Sequence, residues 1–137
     1  MAQVIDIVRA ALGHLRVVDD EDVPTPKQTE GAIAALNAMV QAWEGDGITL
    51  GWQPVTLPTQ ELIFPELQEM LGYNLAVRLR PRYGVTLDPD VKALADMGMA
   101  SLVAAVHSSS HDRVSYDDLP RGESQPNIYG WRAGFYL

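Results

Sequence analysis

Three sets of side chains in this sequence have types and spacings that could do chemistry. Glu61, Glu66 and Glu69 offer paired carboxylates, the equipment of a glycoside hydrolase, in which one carboxyl donates a proton and the other attacks or activates water. Glu66 and Glu69 stand three apart near the start of an expected helix, where the dipole stabilises acidic side chains without any catalytic role. His107 and His111 are four apart, a spacing that can offer two imidazoles to one metal ion. The three serines between them and the lack of a glutamate beside the first histidine leave the metalloprotease pattern incomplete, so no metal or other cofactor is expected. Arg78, Arg80 and Arg82 form the basic cluster Arg-x-Arg-Pro-Arg, able to clasp phosphate or carboxylate with its planar guanidinium groups.

Composition narrows these options. The chain has 137 residues and no cysteine, which removes thiolate zinc sites and cysteine nucleophiles and leaves stability to packing or assembly. Its formal charge is −8. Residues 1–107 hold 7 basic and 14 acidic side chains, so the acidity belongs to the expected folded body, which opposes a function built on neutralising phosphates. No apolar run approaches the roughly 18 residues a membrane span requires, and the first residues lack the pattern of a signal peptide, so a soluble protein is expected. No Ser/His/Asp spacing, phosphate loop or dinucleotide glycine pattern is present.

The elements that position these side chains follow from periodicity. Val4, Ile7, Val8, Ala11, Leu12 and Leu15 recur at steps of three and four and predict a first helix. The acidic run from Asp19 to Asp22 reads as a solvated connection. Thr25-Pro26-Lys27-Gln28 is a capping box with proline at the first helical position, opening a second helix with Ile33, Leu36, Val40 and Trp43 inward and Gly45 or Gly47 at its end. Between Ile48 and Thr59, Leu50, Trp52 and Leu57 alternate with small or polar residues. Pro54 and Pro58 forbid a central strand, leaving an extended arm or edge hairpin. A third helix is expected from Phe64 or Pro65 to Leu79, with Leu67, Met70 or Leu71, Asn74 or Leu75 and Arg78 along one face, stopped by Pro81 and Gly84. Asp88-Pro89 opens a fourth, with Val91, Leu94, Ala95, Leu102, Val103 and Val106 inward. The fold class is therefore mainly α: a small four-helix bundle over residues 1–107, an arm at 48–59 and a long non-regular C-terminal tail at 108–137.

That tail carries Tyr116, Tyr129, Trp131, Phe135 and Tyr136, five of the ten aromatics in the chain. Segments that stay disordered are poor in aromatics. Pro120, Gly122, Pro126, Gly130 and Gly134 interrupt any regular element, so the tail reads as a strip of aromatic hooks suited to a partner's groove, with folding back over the chain's own core as the competing account.

The stretch AIAALNAMVQAWEGDGITL, Ala32 to Leu50, resembles the "LN.ML..W...GL.L" helix and turn of phage tail accessory proteins, the head-to-tail adaptors of P22-like phages. LGYNLAVRLRPRYGVTLDPDVKALA, Leu71 to Ala95, is similar to their "ALALNLALRLAPEYG" helix and the proline-started helix after it. Leu119-Pro120-Arg121-Gly122 and Asn127-Ile128-Tyr129 resemble their "LPRG…NIY" tail. The arm departs from the pattern, being shorter than the hairpin of many members. The resemblance implies a structural virion protein at the head-to-tail junction, not an enzyme. It implies a ring, usually of twelve copies, beneath the portal protein, lengthening the DNA channel and joining further tail proteins such as a nozzle, fibre or spike. DNA then passes through without specific binding, and no membrane is involved. The expected portal-binding residues are Tyr116, Leu119, Arg121, Ile128, Tyr129, Trp131, Arg132, Phe135 and Tyr136, with Arg78, Arg80 and Arg82 between subunits. Two other classes stand beside this one. A peptidoglycan-degrading virion hydrolase would need a buried glutamate among Glu61, Glu66 and Glu69, and a nucleic-acid-binding helical module would need the three arginines on one face.

Overall fold

The computed structural model describes residues 2–110. Four α-helices run in chain order: α1 (Val4–His14), α2 (Pro26–Gly45), α3 (Gln68–Tyr83), which is preceded by a single 3-10 turn at Pro65–Leu67, and α4 (Pro89–Ser110). No strand is formed among the described residues, and the fold is a mainly α helical bundle. α4 continues past residue 107 to Ser110. His111 and every residue expected to bind portal, Tyr116, Leu119, Arg121, Ile128, Tyr129, Trp131, Arg132, Phe135 and Tyr136, lie outside the described residues.

Local chemistry sets the helix starts. Thr25 accepts from the Gln28 amide at 3.3 Å while the Gln28 side chain accepts from the Thr25 amide at 3.0 Å, the reciprocal pair that satisfies two donors at the open end of α2. At α1 the chain borrows carbonyls from elsewhere. The amides of Val4 and Ile5 donate to the carbonyls of Gln60 and Pro58 at 3.0 and 2.9 Å, and the Leu62 amide donates to Ala2 at 2.9 Å. The arm thus returns to seal the first turn of α1, and an isolated antiparallel bridge joins Gln3 to Glu61.

α3 packs against α1, α2 and α4, and α1 also packs against α2. Leu71, Leu75 and Leu79 of α3 are buried with Ile7, Val8, Leu12, Leu36, Met39 and Val40. α3 and α4 approach so closely that a side chain on Gly98 would collide with Met70, and Asn74 ties the two helices by donating to the carbonyls of Met70 at 2.9 Å and Ala95 at 3.3 Å.

Three sequence expectations need correction. The third helix does not stop at Leu79; it runs through Pro81 to Tyr83. Proline costs a helix one amide and crowds the carbonyl four residues back, but here the end is held around it. Gly84, at φ 64°, donates to the Arg80 carbonyl at 2.9 Å, and the Arg80 side chain donates to Val85 at 3.1 Å. Arg78 is exposed, because the face set by Leu71, Leu75 and Leu79 turns it away from the core. Leu94 remains 41% exposed, since α4 packs chiefly against α3 and one main neighbour cannot cover so wide an apolar stripe.

The Gly98 contact generates a test. Gly98→Val should destabilise the chain by about 1–3 kcal/mol through overpacking, seen as a lower urea midpoint with the helical circular-dichroism signal retained in native buffer.

Candidate functional site

The arm, 48–59, forms neither helix nor strand, and two side chains of α2 hold it. The Asn37 amide nitrogen donates to the Val55 carbonyl at 2.7 Å, and its oxygen accepts from the Val55 amide at 2.9 Å and from the Trp52 indole at 3.2 Å. The carboxylate of Glu44, two turns further along α2, accepts from the Trp52 amide at 3.3 Å. Val55 is thereby buried while Leu57, two residues on, stays 61% exposed.

Between the pinned arm, α1 and the first half of α2 lies an open groove of about 750 Å³. Ile5, Val23, Pro24, Ile33, Ala34, Val55, Leu57 and Pro58 give it an apolar lining, with Arg9 and Glu30 among its charged residues. Val23, on the lip, is 70% exposed. A concave, mostly apolar surface of this kind is suited to binding by burial.

The residues singled out for chemistry are distributed otherwise. Glu61, Glu66 and Glu69 are all exposed, whereas the hydrolase reading requires a buried proton donor. Glu66 and Glu69 border a shallow hollow with Ala10, His14 and Tyr73. His14 stacks on Tyr73 with ring centroids 4.4 Å apart and planes at 17°. Burial holds its pKa below the ordinary value, against the smaller opposing pull of Asp20 and Glu69. The acidic run from Asp19 to Asp22 is exposed, as expected of a solvated connection. His107 sits exposed in the last turn of α4, and among the described residues no group of three His, Asp or Glu side chains could hold a metal ion.

The arginines do not make one basic face. All three lie on α3, where Arg78 and Arg82 are one turn apart and Arg80 points roughly 200° round the helix. Arg80 is occupied with Val85. Arg82 lays its guanidinium on the α2 backbone at Gly31, where any side chain would collide with it. The single face that the nucleic-acid reading needs is absent from this arrangement. Among the described residues no helix is long and apolar enough to cross a membrane.

A family model described as P22 tail accessory factor matches residues 1–132. The chain belongs to this family. The match takes in the helical body, the arm and most of the C-terminal segment together, and it makes the chain a phage tail accessory protein with a structural, virion-associated role. No curated protein matches the chain significantly.

Asn37, the residue that organises the arm, carried a signal that periodicity does not read. An asparagine in the middle of a helix competes for backbone bonds and is disfavoured there, so its position beside Leu36, in a buried stripe, marks a side chain with a tertiary task. Asn74 in α3 has the same character.

Asn37→Ala leaves the Val55 amide, the Val55 carbonyl and the Trp52 indole to find other partners. The expected cost is about 1–3 kcal/mol, together with faster proteolysis confined to the arm and red-shifted tryptophan emission. His14 supplies a second test. Its folded-state pKa lies below the unfolded one, so the stability it confers is fully present above about pH 6.5 and is lost as pH falls through the folded value. A His14→Gln variant should show a flatter decline of melting temperature between neutral pH and the carboxylate range.

Proposed function

We propose that the chain is a head-to-tail adaptor. Copies of it, twelve by the family's usual count, form a ring beneath the portal protein, lengthen the DNA channel and seat the next tail component after DNA packaging. The observation that carries this reading is the span of the family match, which runs without division from α1 to residue 132 and so joins the helical body to the aromatic C-terminal segment as parts of one device.

The physical features agree with such a role. The body's net negative charge favours DNA passing by without being held. The same charge opposes self-association until a template raises the local concentration. The C-terminal segment is the proposed portal contact. Tyr129, Trp131 and Phe135 act there as anchors, Tyr116, Leu119, Ile128 and Tyr136 widen the contact, and Arg121 and Arg132 meet portal carboxylates or carbonyls. Among the three arginines proposed to lie between subunits, Arg80 and Arg82 already serve their own chain. Arg78, exposed and without a partner among the described residues, is therefore the strongest candidate to reach a neighbour.

The isolated chain should sediment mainly as a monomer and form a ring when portal is added. A chain ending at Gly122 should keep the melting curve of the full chain and fail to bind portal. Alanine at Trp131 should weaken binding by about 2–4 kcal/mol, the usual cost of truncating a buried aromatic anchor. Portal binding by the truncated chain at full strength would remove the tail from this role. Unfolding of that chain would assign the tail to the core.

A further inference from the structure

A closed ring of identical subunits needs two different surfaces on every subunit, one fitting the other, because the contact is head-to-tail and not self-complementary. The chain exposes two apolar surfaces that share no lining residue. The first is the concave groove of α1, α2 and the arm, with Val23 and Leu57 open at its lip. The second is a ridge on α4, where Leu94 and Met97, three residues apart on one helical face, are 41% and 66% exposed. Beside these two side chains is a shallow hollow that Glu66 and Glu69 line with them, and no basic side chain lines it.

We propose that the α4 ridge of one copy seats in the groove of the next, and that this contact closes the ring. Shape supports it: two apolar side chains spaced i, i+3 on a helix are the usual anchors of a helix lying in a groove, and methionine adapts to an irregular floor. Charge supports it too. Arg9 lines the groove with no partner among the described residues, and the acidic flank of the ridge brings Glu66 and Glu69 to it, while Glu30 on the groove's α2 side limits the attraction to the Arg9 side. The inference rests on the ring proposed above and names its two faces.

The absence of cysteine makes the test clean. Leu57→Cys and Met97→Cys place one thiol on each face at positions open to solvent, and portal-assembled samples are treated with a short bismaleimide. The expected result is a crosslinked dimer from a mixture of the two variants, none from either alone, and a ladder of higher oligomers from the double variant. Self-crosslinking of either single variant would mean a self-complementary contact and overturn the proposal. An intact portal-bound ring without crosslinks would place the subunit contact elsewhere, overturning the faces and leaving the adaptor reading in place. No oligomer on portal would end both. If the thiol of the Leu57→Cys variant resists maleimide in the free full chain, but reacts in the chain ending at Gly122, the groove is filled by the chain's own C-terminal segment, and the proposal is again overturned.

Discussion

Burial of Leu71, Leu75 and Leu79 along α3 is the interaction on which the remaining structure depends. Each is almost wholly removed from water, and at roughly 1.5–3 kcal/mol per leucine side chain this row outweighs any hydrogen bond the helices exchange. Because α3 meets α1, α2 and α4, it acts as the axis to which the others are fastened. The close approach at Gly98 and the Asn74 bonds then fix where α4 lies along it. What this axis cannot do is cover α4 on its outer side, which explains the apolar residues left in solvent there.

Local bonds and repeated burial are legible in the sequence; relations between distant segments are not. The Thr25 and Gln28 pair is a property of four adjacent residues, and the α1 stripe is fixed by one period, so both can be read without a fold. The end of α3 escapes such a reading because proline, weighed alone, stops a helix. The bonds that carry the helix past Pro81 come from Gly84 and from Arg80 to Val85, a combination with no periodic signature. Periodicity assigns Leu94 to the core because a stripe says which face is apolar and not whether enough neighbours exist to cover it. The groove is invisible for a related reason: it arises where the arm, pinned eighteen residues away in sequence by Asn37, meets helices that come before it.

The family and the structure together describe a protein whose polar side chains work mainly on its own backbone. Asn37, Asn74, Arg80 and the Thr25 pair all bond to backbone groups. The one ion pair between side chains in the described residues, Lys92 with Asp96, is exposed and adjacent in helical register, worth little to stability. The carboxylates are instead spread over the surface. That allocation fixes the shape of the body through its own backbone and leaves the charged side chains on the surface.

The arm is fastened at two places, midway at Trp52 and Val55 and again where it meets α1. At its far end the bonds from Val4, Ile5 and Leu62 run across two antiparallel segments, so a pull along the chain loads them together in shear. Midway along it the bonds of Asn37 gather on one amide group and would break in succession if the arm were peeled outward. The arm is therefore stiff to tension and soft to lifting, a strap that can yield at Trp52 and Val55 while its seam with α1 stays closed.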